Sequence, residues 1–130
     1  MSQVNVELVR RIYEAWSAAD LGLEHFDPDF ELHQTVTLID SARVFRGHDG
    51  LLRAASELNS DLRDLSWEPQ EFVAAPENRV VVPFRFRGSG RASGIRMDMH
   101  LVHVWAIRDG LAIRCDTYDT LGEAREAADL

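Results

Sequence analysis

Two histidines stand close together in "MDMHLVHVWAIRDG", Met97 to Gly110, a run that otherwise has the period-two pattern of a strand. An imidazole changes charge near neutral pH, so each is a candidate for acid–base chemistry or for holding a substrate oxygen. Parity separates them, because successive strand side chains point to opposite faces. The odd positions Met97, Met99, Leu101, His103, Trp105 and Ile107 are apolar apart from His103. The even positions Arg96, Asp98, His100, Val102, Val104 and Ala106 begin polar and end small and apolar. His100 is therefore expected on the outer face, solvated or at an interface. His103 is expected alone in an apolar row, where burial lowers its pKa and leaves a neutral imidazole at pH 7. Two readings stay open. Thr117, Gln34 or backbone satisfies it in the core, or it faces a ligand as general base or hydrogen-bond donor.

Other chemistry-bearing residues are weaker candidates. His33 has the polar parity of its strand, beside Glu31, and Gln34 has the inward parity, with the register between them open. Tyr13 reads as helix packing with a wet hydroxyl on a cavity wall. Cys115 reads as inert core, since nothing nearby in sequence would lower its pKa. His48 in "RGHDG" belongs to a helix entry. The arginines of "RFRGSGRASGIR" keep a glycine-rich connection soluble and discourage edge pairing. No Cys/His cluster has metal-ligand spacing, and neither a P-loop nor a dinucleotide glycine fingerprint is present, so no metal and no cofactor is expected.

The elements that must position these residues follow from periodicity. "VELVRRIYEAWSAAD" is a helix with Leu8, Ile12 and Trp16 on one face and Asn5 as its N-cap. Asp20 caps a short second helix, "LGLEHF", which Asp27-Pro28-Asp29 ends. "FELHQTV" is a strand with Phe30, Leu32 and Gln34 on one face and Glu31, His33 and Thr35 on the other. "ARVF" is a short extended piece. A helix opened by His48 or Asp49 carries Leu51, Leu52, Ala55, Leu58 and Leu62 as its apolar stripe. "LSWEPQEFVAA" is a strand interrupted by Pro69, hence an edge or bulged one. A turn at Pro76-Glu77-Asn78 precedes "RVVVPFRFR", which turns Val80, Val82, Phe84 and Phe86 inward and Arg85 and Arg87 outward. "GSGRASG" connects it to the histidine strand. "RDG" makes a tight hairpin, and "LAIRCDTYD" returns with Ile113, Cys115 and Thr117 on one face and Arg114, Asp116 and Tyr118 on the other. Thr120 and Glu123 form a capping box for a last helix. The order is α+β: helices gathered on one face of a curved sheet that is mostly an antiparallel meander.

The totals set the frame. At 130 residues and 45% hydrophobic content, residues 1–130 suit one domain with its own core. A net charge of −8 disfavours nucleic acid and anionic membranes as partners. No apolar run approaches a bilayer span, the N-terminus lacks a signal-peptide layout, and a single cysteine forms no internal disulfide; a cytoplasmic protein is expected.

Taken in order, "VELVRRIYEAWSAAD", "FDPDFELH", "FRGHDGL", "GSGRASG", "HVWAIRDG" and the closing "Y…EAREAA" resemble the SnoaL-like branch of the NTF2-like superfamily. The resemblance implies a cone-shaped α+β fold, a curved antiparallel or mixed sheet packed on N-terminal helices, with a deep cavity between them and a homodimeric assembly. It also implies a range of activities, among them polyketide cyclases, ketosteroid isomerases, epoxide hydrolases and dehydratases, so the site must choose. Where the steroid isomerases have an aspartate base, this chain has Gln34 or, one residue shifted, His33. Their oxyanion tyrosine falls at Ile12 and their oxyanion acid at His103. All three identities have changed, which disfavours that mechanism. The charge set of the limonene epoxide hydrolase-like members is not evident either, since Arg85, Arg87, Arg96 and Asp98 have outward parity. What resembles the cyclases is a histidine-bearing apolar cavity, though the aspartate those enzymes use has no inward counterpart here.

The resulting expectation is a protein that binds a small apolar molecule. If it is an enzyme, it is an isomerase or cyclase, ahead of lyase or hydrolase chemistry, moving a proton on an apolar carbonyl compound. His103 is the first catalytic candidate, with Gln34 or His33 opposite. The pocket is expected from Ile12, Tyr13, Trp16, Val82, Phe84, Phe86, Met97, Met99, Leu101, Trp105 and Cys115. The alternative is a non-catalytic dimeric ligand-binding or accessory protein. A homodimer is expected through the outer sheet face near Val102, Val104 and Ala106.

Overall fold

The structure is a computed structural model that describes residues 2–34 and 43–130. The expected strand residues Thr35 and Val36, and Ala42 of "ARVF", lie outside the described residues. The elements run α1 (Ser2–Ser17), a 3₁₀ turn (Leu23–His25), β1 (Phe26–Gln34), β2 (Arg43–Arg46), α2 (Gly47–Asp61), β3 (Leu62–Pro69), β4 (Val73–Ala75), β5 (Arg79–Gly90), β6 (Arg96–Arg108), β7 (Leu111–Tyr118) and α3 (Leu121–Ala127). The strands form one curved, unclosed sheet in the order β2-β1-β7-β6-β5-β3, with β4 pairing β5. It is mixed, because β1 runs parallel to β7 while the other neighbours are antiparallel.

Strand parity holds over most of the sheet. Val80, Val82, Phe84 and Phe86 of β5 and Leu101, His103, Trp105 and Ile107 of β6 are buried under α1, α2 and β1. Asp109 (φ 52°) and Gly110 (φ 76°) supply the two left-handed residues of a hairpin turn whose twist matches its strands. β3 ends at Pro69 and lies at the sheet edge, where the lost N–H breaks no ladder.

Parity fails at two bulges. β7 carries an extra residue opposite Ala106 and Ile107, so Ala112, not Ile113, takes the core position beside Ile107. β3 is irregular between Arg63 and Ser66, and Asp64 sits there at φ 56°.

Several local expectations are corrected. Asn5 is no N-cap: α1 begins at Ser2, and the buried Asn5 amide donates to Asn78 Oδ1 at 3.2 Å. Asp20 receives the Gly22 N–H at 3.0 Å, but only a 3₁₀ turn follows, and Phe26 starts β1 ahead of Asp27-Pro28-Asp29. His48 and Asp49 sit inside the first turn of α2; the His48 ring meets the Phe26 carbonyl at 3.0 Å. Leu52 is exposed and Leu62 starts β3, so the stripe of α2 is Leu51, Ala54, Ala55 and Leu58. β5 continues through Gly88-Ser89-Gly90, leaving only 91–95 as connection.

The C-terminal helix decides the outer face. Thr120 caps α3, its hydroxyl accepting the Glu123 N–H at 3.2 Å. Ala124 and Ala128 then pack on Val81, Val102 and Val104, which are 0%, 4% and 5% exposed. The surface expected to meet a second copy near Val102 and Val104 is thus covered by the chain itself, and Ala106 is half-buried. Thr120→Ala is expected to cost about 1 kcal/mol by loss of the cap, read as a lowered urea midpoint.

Candidate ligand cleft

The C-terminal turn of α1, the α1–β1 connection, β1, α2 and β3 leave a cleft of about 360 Å³ between them. Leu32 and Leu51 form its buried floor, and Leu21, Ala54, Leu58 and Leu65 its walls. Two indoles, Trp16 and Trp67, complete the apolar wall with ring centroids 5.0 Å apart. Trp16 is held there by its own N–H, which donates to the Leu21 carbonyl at 3.1 Å. Trp67 is placed by pairing with Phe86 across β3 and β5. Gln34, at the end of β1, is with Ser17 and Asn59 an uncharged polar group of the lining, and its amide makes no hydrogen bond to any described residue. Charges gather at the mouth: Asp20, Arg63, Asp64 and Arg91.

His103 lies behind this wall, 4% exposed. Phe84 stacks on its ring at 4.1 Å, while Trp16 and Trp67 lie 6.1 and 6.2 Å from it and face the cleft. The Tyr13 hydroxyl meets its Nδ1 at 2.6 Å, and the Trp105 indole N–H donates to the same hydroxyl at 3.1 Å. An indole can only donate, so the tyrosine oxygen accepts there; among the described residues His103 Nδ1 is the acceptor in reach of the hydroxyl hydrogen, which assigns that hydrogen to the Tyr13–His103 bond. The imidazole is therefore neutral, with its own hydrogen on Nε2. Burial agrees, holding the His103 pKa down to about 3 and raising those of Tyr13 and Cys115 well above their ordinary values. Chemically, Nδ1 is taken as an acceptor, and what remains to offer is an N–H.

Sheet register links this buried group to the cleft. Val82, His103, Thr117 and Gln34 lie opposite one another on β5, β6, β7 and β1, forming one row across the sheet. The row runs from packed core through two buried polar residues to the Gln34 amide in the cleft.

Of the residues expected at the site, the structure brings Trp16 and Gln34 to the cleft wall. It places Ile12, Tyr13, Val82, Trp105 and Cys115 in the packed core behind it. Phe84, Phe86, Leu101, Met97 and Met99 pack with Leu58, Leu65 and Trp67 in a neighbouring cluster. His33 lies on the other face of β1, its Nε2 2.7 Å from Glu31 Oε1, which with Arg46 and Arg114 holds the Glu31 carboxyl below the usual range. His100 is exposed opposite Arg85, which pairs with Asp98, and Arg87 pairs with Glu68, so the outward parity of these charges holds. Sequence reasoning placed Leu51, Ala55 and Leu58 on the apolar stripe of α2 but not at a ligand cleft, and it did not single out Trp67. The alternation Leu65, Trp67 was the available signal for that residue. Among the described residues, no group of histidine, cysteine, aspartate and glutamate could hold a metal ion, and no helix is long and apolar enough to cross a membrane.

The same architecture recurs in solved structures. An NTF2-like protein of unknown function from Burkholderia pseudomallei is 24% identical, with 100% of each chain covered and a TM-score of 0.79. TerC, co-crystallised with polyporic acid, is 22% identical, with 98% of this chain and 99% of that one covered and a TM-score of 0.79. A protein with the ketosteroid isomerase-like fold from Catenulispora acidiphila, in complex with trimethylamine, is 11% identical over 95% and 93% of the two chains, at a TM-score of 0.76. A search of curated proteins gave no match. The SnoaL-like domain family matches residues 9–115, from the core face of α1 to Cys115 beside the histidine row, and the chain belongs to that family.

Proposed function

We propose that this protein binds a flat, mostly apolar carbonyl compound in the cleft. The observation that carries this reading is the pair of indoles at 5.0 Å beside the Gln34 amide, above an apolar floor. Ring faces stack on indole, and an amide without a partner among the described residues orients a ligand oxygen. The two indoles favour an extended ring system over a small aliphatic molecule. TerC was crystallised with an organic ligand on the same fold, which is consistent with this reading.

A panel of flat carbonyl compounds (a steroid enone, an anthrone, a flavone) tests it by thermal shift and by tryptophan fluorescence. A binder present at about 100 times its Kd stabilises the fold by about 2.7 kcal/mol. Trp67→Ala is expected to weaken that binder about tenfold, since it removes one stacking face. Saturable binding by no member of the panel would count against the cleft as a ligand site.

A second reading, isomerase or cyclase chemistry, is favoured by the row that joins Gln34 to His103 through Thr117. In it Gln34 and the Nε2–H of His103 hold the carbonyl oxygen as negative charge develops on it, and water at the cleft mouth takes the α-proton and returns it, with the tryptophans moving aside. With its pKa held at about 3, His103 serves this reading as a donor better than as a base. Exchange of an α-hydrogen of a bound ketone for deuterium, followed by NMR, separates turnover from binding alone.

A further inference from the structure

We infer that the cleft selects an anionic form of its aromatic ligand, such as a carboxylate, and that Arg91 is the residue that recognises it. The inference rests on the reading that the cleft binds a flat ring compound. Arg91 lines the cleft from the β5–β6 connection. It is anchored twice on the last turn of α2: its backbone N–H donates to the Asp61 carbonyl at 2.9 Å and its Nε to the Asn59 carbonyl at 2.5 Å. Among the described residues no carboxylate pairs with it, and none takes the donors of its terminal nitrogens.

The other cation of the mouth is held less firmly: Arg63 makes only an exposed contact to Asp64 at 3.9 Å, with no hydrogen bond to fix it as Arg91 is fixed on α2, while Asp20 accepts the Gly22 N–H. Elsewhere in this acidic chain arginines are commonly matched to carboxylates, as in Arg43–Glu57, Arg79–Asp129, Arg85–Asp98 and Arg114–Asp116. Arg53, Arg96, Arg108 and Arg125 also lack a carboxylate partner among the described residues, but none of them lines this cleft. Closing the end of α2 explains the Nε contact and benefits from a positive charge. It does not use the remaining donors, whose planar fork fits a carboxylate. The ligand then lies with its ring on Trp16 and Trp67, its anionic group at Arg91 and its far oxygen toward Gln34.

The test compares 2-naphthoate with its neutral isostere 2-naphthamide by titration calorimetry, on wild type, Arg91→Gln and Arg91→Lys. Wild type is expected to prefer the acid by about tenfold or more, as a charge-assisted pair provides. Arg91→Gln should weaken naphthoate by about the same factor and naphthamide by less than about twofold; Arg91→Lys, which keeps charge but loses the fork, should fall between. Equal affinities in wild type, or a preference that survives Arg91→Gln, overturn the inference while leaving the cleft a ligand site. Binding of neither compound removes both. If Arg91→Gln fails to fold for want of its helix contact, salt decides on the wild type. The preference must shrink severalfold from about 20 to about 300 mM sodium chloride, and a ratio insensitive to salt overturns it.

Discussion

Lowering the pH from 6.5 to 5 is expected to cost this protein about 1.5–2 kcal/mol of stability through His103 alone. The ring is buried and neutral, with its pKa depressed from 6.5 to about 3 by desolvation. A histidine whose folded pKa is depressed binds its proton more readily in the unfolded chain. Between those two values the unfolded state therefore carries more protons, and stability rises with pH. The contribution is complete above about pH 6.5 and lost as pH falls toward 3, where the full loss reaches about 4–5 kcal/mol. Carboxylates act in the same direction but lower down. Glu57 and Asp98 are held below their usual range by bonds from Arg43 and Arg85, so their protonation destabilises only below about pH 4. Urea unfolding at pH 7, 6 and 5 thus lies above the range of these carboxylates, and a variant assigns the dependence to His103. His103→Gln should flatten the dependence over that range. An unchanged slope in this variant would assign the titration to another group.

Tyr13→Phe is expected to destabilise the fold by about 2–5 kcal/mol, although it removes one oxygen atom and no apolar surface. The hydroxyl accepts from Trp105 Nε1 and donates to His103 Nδ1. Without it a buried donor and a buried acceptor are left together, each at about 1–3 kcal/mol. Their positions are fixed by rings packed on several sides, so neither can turn to another partner. A double-mutant cycle with His103→Leu makes the argument specific. Removing the imidazole also removes the orphaned acceptor, so the double variant should be less destabilised than the sum by about 1–2 kcal/mol. Additive losses would mean that the 2.6 Å bond carries no net energy. The same variant reports on the chemistry. If His103 works through Nε2 on a ligand, Tyr13→Phe weakens the support of that tautomer, and any exchange activity should fall with it.

Both predictions concern one buried node, and the sequence pointed to half of it. His103 interrupts an apolar row by its identity, and alternation along β6 is enough to turn it inward. Its partner was not legible. Tyr13 is ninety residues away on a helix, where a hydroxyl on the core side looks the same in sequence whether it reaches water or a ring nitrogen. Thr117 and Gln34 were legible as inward residues, but that they share a row with His103 required the pairing of β6 with β7 and of β7 with β1.

Local pattern by itself determined the elements, most facings of their side chains, the capped last helix and the family resemblance, because each depends on neighbours a few positions apart. The tertiary structure decided where open space lies. The aromatic rows read as a pocket wall are largely packed core, and the cleft opens one layer further out, under α2 and beside Trp67. Which face of a sheet is buried follows from side-chain chemistry, whereas a cavity is what remains after separate elements have met, and its place depends on the lengths and angles at which α1, α2 and β3 approach. The same reason applies to the outer face: Val102 and Val104 advertise a contact in sequence, and only the return of α3 shows that the chain makes that contact with itself.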